Sequence, residues 1–365
     1  MDSNGRLPRA YCDVLHFPNG QPVTATMTSS STLSLSAGRI LLQGCVQGAG
    51  IRPRIARLAA EAGITGRVRN TMSGVAIDVE GSTSVLRDWR ERLSTELPGQ
   101  PDAQWLSFES RTDRTYDDFH IDESDLVDRV QTTVPLDRVV CDQCLADTFA
   151  TDNRRYGYAF TSCTDCGPRY SILEAMLFDR IRTSMNRFVM CDDCAREYAD
   201  PSDRRFHSQT NSCPRCGPRL WSTESASSSG DRSPPKGRPG QRREGADALR
   251  AVTSSLAQGQ IAAIKGVGGY QLLCDATSDA AVARLRQRKR RASKPLAVMV
   301  GSIQEAELLA HISAVERVAL SSYAGPIVLV RERRKSSLSA GIHPGLGDVG
   351  LMLPTSPLHA LLSAG

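Results

Sequence analysis

Residues 44–81 read GCVQGAGIRPRIARLAAEAGITGRVRNTMSGVAIDVEG, and this stretch sets the architecture predicted for the N-terminal part of the chain. Pro53 suits the first turn of a helix, and apolar residues recur behind it at spacings of three and four until Gly63. The segments GRVRN and GVAIDVEG alternate in polarity on either side of TMSG, as the strands of a β-hairpin do. The stretch therefore predicts a glycine loop, a helix and a hairpin in succession.

The segments on both sides of this stretch extend the pattern. RILLQGCV overlaps the start of the loop as an apolar strand, STSVLRDWRERLSTEL follows the hairpin as a second helix, and WLSFES and FHIDES are short strand candidates. The order strand, helix, strand, strand, helix, strand is that of a ferredoxin-like domain. We predict such a domain over residues 38–125, in an α+β multidomain chain, preceded by a polar, disordered leader at residues 1–37.

Eight of the eleven cysteines fall into four CxxC pairs between residues 136 and 220. The segments CDQCLADTFATDNRRYGYAFTSCTDCGPR and CDDCAREYADPSDRRFHSQTNSCPRCGPR align without a gap, fifty residues apart, and each has the form CxxC, eighteen residues, CxxC. Four thiolates fill a tetrahedral Zn²⁺ site and leave no position for water, so we predict two structural zinc modules rather than a catalytic metal or redox pairs. The expected ligand sets are Cys141, Cys144, Cys163 and Cys166 for one ion, and Cys191, Cys194, Cys213 and Cys216 for the other, with an interleaved pairing as the alternative.

The rest of the chain divides into a linker and a third domain. Residues 221–245 are rich in Ser, Pro, Gly and Arg and are predicted to form the linker. Beyond it, helical segments alternate with the strand candidates IAAIKGVGG, PLAVMV and PIVLVRE, and QEAELLAHISAVERVALSS is expected to be one helix. The alternation predicts an α/β domain over residues 246–365, expected to be incomplete because new elements are still appearing at Gly365.

Charge and hydropathy exclude some classes of protein. The formal net charge of +5 and the sequence pI of about 8.7 suit phosphate-bearing ligands but are too small to imply nucleic-acid binding. No apolar run reaches the roughly 18 residues of a membrane span, so no membrane association is predicted. A chain without a signal peptide and with this many CxxC pairs is expected in the cytoplasm, where thiols stay reduced.

The loop VQGAGIRP, residues 46–53, is a candidate anion site. A glycine-rich loop before a helix N-terminus can turn several backbone N–H groups toward one ligand, with the positive end of the helix dipole behind them. The guanidinium of Arg52 would add a planar pair of donors that matches phosphate. The alternative from the loop alone is a tight turn with Arg52 as a solvated surface charge.

Residues 44–81 resemble the acylphosphatase family, in which a glycine loop ending in arginine precedes a helix and a strand that ends in asparagine. The resemblance implies that the loop, Arg52 and Asn70 act together: the loop and Arg52 hold the phosphoryl group, and Asn70 orients the attacking water. The implied loop residues are Val46, Gln47, Gly48, Ala49, Gly50 and Ile51. Ala49 and Ile51 stand where the family usually has valine and phenylalanine, which changes packing but not the ligand atoms.

The segment from IAAIKGVGGYQLLCDAT to PLAVMV resembles YrdC-like domains, which bind ATP and form carbamoyl-type adenylates. The resemblance implies ATP as a substrate, with Mg²⁺, and double-stranded RNA binding is also associated with such domains. Candidate nucleotide-binding cations are Lys265, Lys289, Arg291 and Lys294, the alternative being a solvated basic helix end. Gln271 stands where the family usually has histidine, and LPTSPLH stands where it usually has LPYTPLH.

The three domains in this order resemble the N-terminal half of the HypF family of hydrogenase maturation carbamoyltransferases. The resemblance implies cleavage of carbamoyl phosphate, activation with ATP as carbamoyl adenylate, and transfer to the C-terminal cysteine of a HypE-type partner, leading to the cyanide ligands of [NiFe]-hydrogenase. Because the family's transferase domain does not follow, at most the acylphosphatase step is expected here. The alternative is a zinc-stabilised nucleic-acid-binding or non-catalytic adaptor, although 5% aromatic residues do not favour specific nucleic-acid binding.

Overall fold

The computed structural model describes residues 35–97, 102–111, 115–126, 132–133, 136–224 and 242–364. The predicted leader lies outside the described residues up to position 34, and so does most of the predicted linker. Residues 35–37 belong to the first strand and not to the leader, because they pair with the hairpin strand that ends at Ser82.

The first domain has the predicted ferredoxin-like order. Its elements are β1 (Leu35–Gln43), α1 (Ile51–Glu61), β2 (Thr65–Thr71), β3 (Gly74–Ser82), α2 (Thr83–Glu96), β4 (Asp102–Arg111) and β5 (Phe119–Ile121). The strands form one sheet in the order β4-β1-β3-β2-β5, antiparallel except for the parallel β2–β5 pair. The fold class predicted from the element order is confirmed.

A single apolar core joins the two helices to the sheet. The predicted inner face of α1 is buried at Ile55, Leu58 and Ala59, and Leu86 and Trp89 of α2 pack into the same cluster. Ser82 caps α2 by accepting a hydrogen bond from the backbone N–H of Val85. The core thus fixes the position of the loop that connects β1 to α1.

The cysteine segment, residues 136–220, consists of short elements around four CxxC turns, which we call knuckles. α3 (Asp142–Phe149) and α4 (Asp192–Ala199) each begin one residue after the first cysteine of a CxxC pair. Three 3-10 turns lie in the connection between the repeats, at Tyr170–Ile172, Arg180–Arg182 and Ser184–Arg187. The two-residue strands β6 (Trp221–Ser222) and β7 (Arg243–Glu244) pair with each other. Both lie within residues 221–245, so the two ends of the predicted linker are strands and not linker.

The third domain contains the remaining elements. They are α5 (Gly245–Ala257), β8 (Ala262–Gly266), β9 (Gly269–Leu273), α6 (Asp279–Lys289), β10 (Ala297–Met299), α7 (Ile303–Leu309), β11 (Ala310–His311), α8 (Ala314–Leu320), β12 (Val328–Glu332), β13 (Asp348–Met352) and α9 (Pro357–Ala364). Four strands form a mixed sheet in the order β10-β13-β12-β11, in which only β10 and β13 are parallel.

Two element predictions in this domain are wrong. IAAIKGVGG is not one strand, because the chain reverses at Val267 and Gly268 and gives the separate hairpin β8–β9. The single helix predicted from QEAELLAHISAVERVALSS is broken by β11, and Ser313 starts α8 with a capping box to Glu316. In both places a turn or cap inside an apolar pattern ended the element early.

The cysteine segment lies between the other two domains and touches both. Arg57 of α1 donates hydrogen bonds to the backbone carbonyls of Pro201 and Asp203, at 2.7 Å each. On the other side, the N–H groups of Val139 and Val140 donate to the carbonyls of Tyr323 (3.0 Å) and Thr355 (3.1 Å). None of the helices in the described part of the chain is long and apolar enough to cross a membrane.

Candidate functional site

The glycine loop presents its backbone rather than its side chains to a cleft. Val46, Ala49 and Ile51 are buried in the core of the first domain. Gly48 and Gly50 adopt the left-handed region at φ 68° and 78°, which a side chain would disfavour. Gly50 is the N-cap residue of α1, and no side chain caps this helix. The first N–H groups of α1 are therefore available to an anion, as the sequence led us to expect.

Arg52 and Asn70 come together at this cleft. Arg52 lies in the first turn of α1, and Asn70 lies near the end of β2. The amide oxygen of Asn70 is buried and accepts no hydrogen bond within the described part of the chain. An unpartnered acceptor beside an arginine suits a bound water or hydroxyl donor.

The other wall of the cleft comes from the cysteine segment, which sequence reasoning did not include in this site. Its lining residues from that segment are Thr164, Arg169, Phe178, His207, Ser208 and Gln209. They lie more than ninety residues beyond the loop, and no local pattern links them to it. The available signal lay beside the cysteines, because CGPR in both repeats and DRRFHSQ in the second carry charged or polar residues that a metal site alone does not need.

A carboxylate holds the arginine of the site. Arg52 Nη2 lies 2.7 Å from Asp179 Oδ1 and 3.5 Å from the carbonyl oxygen of Phe178. Asn70 Nδ2 lies 3.5 Å from the same carboxylate oxygen, and the hydroxyl of Ser124 donates to the other oxygen. The donors that face the cleft thus already converge on a negative group.

His207 adds a neutral imidazole to the cleft. Its ring packs between Tyr198 and Phe206, with centroids 4.8 and 4.7 Å away. Burial, and after it the charge of Arg52, lower the pKa of His207 to about 4. The ring makes no side-chain hydrogen bond in the part of the chain that the structure describes, so either nitrogen can serve a ligand.

The eight paired cysteines form two separate clusters in the contiguous arrangement. We call Cys141, Cys144, Cys163 and Cys166 cluster 1, and Cys191, Cys194, Cys213 and Cys216 cluster 2. Sulfur atoms lie 3.8 Å apart for the Cys141–Cys163 and Cys163–Cys166 pairs, and 3.7 Å apart for the Cys191–Cys213 and Cys213–Cys216 pairs. A zinc–sulfur bond of about 2.3 Å gives a tetrahedron with edges of about 3.8 Å. Both clusters therefore fit a closed Zn²⁺ site with no open position.

Each repeat supplies an arginine to the other repeat's cluster. Arg204 Nη1 donates to Cys144 Sγ at 3.0 Å, and Arg154 Nη2 donates to Cys194 Sγ at 3.4 Å. Carboxylates anchor these arginines: Asp147 pairs with Arg204, and Glu197 pairs with Arg154. A tetrathiolate zinc site carries two negative charges, so these arginines neutralise charge across the boundary between the repeats.

Among the predicted nucleotide-binding cations, the described residues show one contact, from the side chain of Arg291 to the backbone of Lys294. Lys265 lies over the ring of Tyr270, 5.7 Å from its centroid. Arg291 donates to the backbone carbonyls of Lys294 and Pro295, which closes a local turn. Their role in binding ATP remains a prediction.

Two positions that depart from the YrdC pattern meet at one buried histidine. His359 Nε2 lies 2.8 Å from Gln271 Oε1, and its Nδ1 lies 3.1 Å from Thr355 Oγ1. Gln271 stands in GGYQL and Thr355 in LPTSPLH. The two departures are therefore neighbours in space and hold the same side chain.

Three protein families match successive parts of the chain. Residues 38–121 match the acylphosphatase family, residues 140–173 and 190–223 match the HypF finger, and residues 254–365 match the Sua5/YciO/YrdC family, described as "Telomere recombination". The domain families expected from the sequence are confirmed.

Relatives of known name match nearly the whole chain. Carbamoyltransferase HypF2 of Cupriavidus necator is 45% identical over 89% of this chain and 39% of its own length. Carbamoyltransferase HypF of Synechocystis sp. is 42% identical over 88% of this chain and 40% of its own length. Over the last domain, threonylcarbamoyl-AMP synthase of Bos taurus is 32% identical across 30% of this chain.

Solved structures agree with these relatives. The crystal structure of full-length HypF in the phosphate- and nucleotide-bound form is 36% identical, with a TM-score of 0.79 over 90% of this chain and 41% of that one. The T. kodakarensis HypF structure is 34% identical, with a TM-score of 0.78 over 90% of this chain and 40% of that one. The chain thus spans about two-fifths of the length of these proteins, and over that part it is homologous to HypF carbamoyltransferases.

Proposed function

We propose that this chain hydrolyses carbamoyl phosphate at the cleft between the glycine loop and the cysteine segment. The observation that carries the proposal is the convergence of Arg52, Asn70 and the uncapped N-terminus of α1 on one cleft. Phosphoryl transfer depends on positioning and on charge stabilisation more than on a protein nucleophile, and these groups supply both.

The proposed roles follow from the donors and acceptors. The N–H groups of residues 47–51 and the guanidinium of Arg52 hold the phosphoryl oxygens. The N–H of Val46, included in the predicted set, already donates to the carbonyl of Gly44 at 3.0 Å. The amide of Asn70 orients a water that attacks phosphorus, the bond from phosphorus to the carbamoyl oxygen breaks, and phosphate and carbamate leave. The neutral imidazole of His207 lines the same cleft and can accept a hydrogen bond from the amide of the carbamoyl group.

The later steps are proposed for the whole reaction of the family. The relatives are named carbamoyltransferases, and the last domain resembles a threonylcarbamoyl-AMP synthase, which supports ATP with Mg²⁺ as the activating substrate. The carbamoyl group would then pass to a HypE-type acceptor protein. The cysteines in the described residues form no disulfide, which supports the cytoplasm as the compartment. For the chain as given we propose the hydrolytic step.

Zinc has a structural part in this proposal. The two clusters would each hold one Zn²⁺ through four thiolates, and the ion would stabilise the knuckles that wall the cleft. No ligand position is left for substrate or water, so the chemistry stays with Arg52, Asn70 and the loop.

The arginines of the cysteine segment do not favour a nucleic-acid-binding adaptor. Arg155, Arg169 and Arg205 are buried, and Arg180 donates to three backbone carbonyls inside the segment. These cations are therefore occupied within the chain and do not form a basic surface for nucleic-acid phosphates.

Phosphate release from carbamoyl phosphate in the absence of ATP tests the proposal. Arg52→Ala is expected to lower kcat/KM by about 10²–10³-fold, because the charge at the transferring group is lost. Arg54→Ala is the matched control, since Arg54 lies one position beyond Pro53 on the same helix but pairs with Glu96 away from the cleft. Equal rates for the wild type and Arg52→Ala would refute the site.

A further inference from the structure

We propose that Arg169 is a positioning residue for the phosphate loop and that it makes anion binding in the cleft depend on metal in cluster 1. The inference rests on the proposed function, because it concerns the same loop. Arg169 follows the second CxxC pair of the first repeat directly, in the sequence CGPR.

One guanidinium connects the loop to the knuckle. Arg169 Nε donates to the carbonyl oxygen of Gly48 at 2.5 Å. Nη1 donates to the carbonyls of Cys166 and Pro168, both at 2.9 Å, and Nη2 donates to the carbonyls of Thr164 (2.7 Å) and Cys163 (3.4 Å). Its acceptors are all backbone oxygens, one from the loop and four from the knuckle.

Backbone carbonyls accept every side-chain hydrogen bond of this cation in the described residues, and its guanidinium lies over the ring of Phe178, 5.7 Å from the centroid. Arg169 is 2% exposed, and no carboxylate pairs with it in the described part of the chain. An arginine guanidinium is charged at neutral pH. A buried cation is costly unless each donor is satisfied, and the five carbonyls must therefore stay converged on it.

The hydrogen bond from Arg169 to the carbonyl of Gly48 sets the direction of the next N–H group in the loop, that of Ala49. In a trans peptide the C=O of one residue and the N–H of the next point in opposite directions. Because Arg169 fixes the carbonyl of Gly48, it also fixes the N–H of Ala49, one of the groups expected to bind the phosphoryl oxygens. On the same wall of the cleft, the N–H of Phe178 donates to the side chain of Gln47 at 3.2 Å, which restrains the preceding loop residue.

Metal in cluster 1 would keep the carbonyls in place. Cys163 and Cys166 are both expected ligands of one ion, and Thr164 lies between them. The knuckle also touches the loop directly, since a Cβ added to Gly50 would lie 3.5 Å from the carbonyl oxygen of Thr164. When the thiolates lose their common ion, the carbonyls are free to diverge, and Arg169 loses the frame that directs it at Gly48.

The repeat provides a matched control for this role. Arg219 occupies the equivalent position after the second CxxC pair of the second repeat. It is exposed and makes no hydrogen bond or ion pair with the residues that the structure describes. The two arginines share the CGPR sequence and differ in contact with the loop.

The test measures binding of inorganic phosphate to the full chain by calorimetry, together with zinc content. Arg169→Ala is expected to weaken phosphate binding roughly tenfold or more, the scale of one lost charged hydrogen bond, while Arg219→Ala leaves it unchanged. Arg169→Lys should stay weak as well, because an ammonium cannot reach the loop and the knuckle together. Recovery of wild-type affinity in Arg169→Lys would overturn the positioning role.

A second measurement covers the case in which Arg169→Ala does not fold. Phosphate affinity of the wild type is measured before chelation of zinc, after it, and after zinc is returned. The proposal expects affinity to fall and then recover, and equal affinity with and without zinc overturns it. If Arg169→Ala and Arg52→Ala both bind phosphate as the wild type does, the inference on Arg169 and the proposed function are both wrong. If Arg52→Ala binds phosphate weakly and Arg169→Ala binds it normally, only the inference on Arg169 is wrong.

Discussion

Asp179 competes for Arg52 with any anion that enters the cleft. Its carboxylate lies 2.7 Å from Arg52, and both groups are mostly buried, so solvent screens them little. A phosphate that reaches Arg52 must displace the carboxylate or accept its repulsion. Asp179 lies in the connection between the two repeats and is therefore one of several links between the phosphate site and the cysteine segment.

We expect Asp179→Asn to tighten the binding of inorganic phosphate by about fivefold. Removing a negative charge beside the bound anion lowers the binding free energy by on the order of 1 kcal/mol. Calorimetric titration with phosphate measures the change. Asp88→Asn is the control, since Asp88 is exposed on α2 and pairs only with its neighbour Arg87 among the described ion pairs. Weaker binding in Asp179→Asn would mean that the carboxylate orients Arg52 rather than competing for it.

At the scale of elements, the sequence predicted the helices, hairpins and clusters whose contacts join residues close together along the chain. The helix α1 follows from its apolar spacing, the β2–β3 hairpin from two alternating segments, and the cysteine clusters from an exact repeat. The elements of the third domain were harder to predict from the sequence, because the hairpin β8–β9 and the break at β11 depend on a turn and a cap inside apolar runs. An apolar run alone does not distinguish these cases.

The candidate site was predictable only on one side. Arg52, Asn70 and the loop lie within 25 residues of one another and share a recognisable pattern. The opposite wall, with Arg169 and His207, reaches the loop through tertiary packing. Such contacts leave no periodicity in the sequence, so no pattern separates Arg169 from the other residues that flank the cysteines.

The crossed arginines predict that the two repeats bind zinc as one unit. Arg204→Met is expected to weaken zinc binding in cluster 1 by about 10–100-fold, although residue 204 belongs to the second repeat, because Cys144 loses a charged hydrogen bond. Zinc release to a chromogenic chelator gives the rate, and alkylation of Cys144 relative to Cys194 identifies the cluster that opens first.

The control for this variant is Arg196→Met. Arg196 lies on α4 of the same repeat, is 73% exposed at its side chain and pairs with Asp193 rather than with a cysteine. It should release zinc at the wild-type rate. If Cys194 is alkylated before Cys144 in Arg204→Met, the arginine acts within its own repeat and the crossed arrangement is not what stabilises the clusters.

At the scale of the whole molecule, the cysteine segment joins the other two domains. It contacts α1 through Arg57 and the third domain through backbone hydrogen bonds of Val139 and Val140. Metal sites with no catalytic position are therefore placed where their loss would affect both neighbours. In a small loop-rich segment, bound metal can supply stability that apolar burial cannot.

The junction with the third domain can be tested at Gly325. This residue has φ +55°, and an added Cβ would lie 2.5 Å from Val139 Cγ1 and 2.9 Å from Thr355 Cγ2. Gly345 has φ +75° but open space around the same position, so Gly345→Ala adds backbone strain without the clash. Both variants should lose about 1–2 kcal/mol of unfolding free energy from strain, and Gly325→Ala a further 1–3 kcal/mol, roughly, from overpacking. Thermal unfolding measures that difference.

Limited trypsin digestion locates the effect of the clash. Arg138 lies over the ring of Tyr323, 5.6 Å from its centroid, beside the two backbone bonds of the junction. When the clash at residue 325 separates these surfaces, the peptide bond after Arg138 becomes accessible, so Gly325→Ala should be cut there faster than Gly345→Ala while both retain two zinc ions per chain. Equal cutting of the two variants, or loss of zinc from Gly325→Ala, would show that the segment is not held to the third domain through this contact.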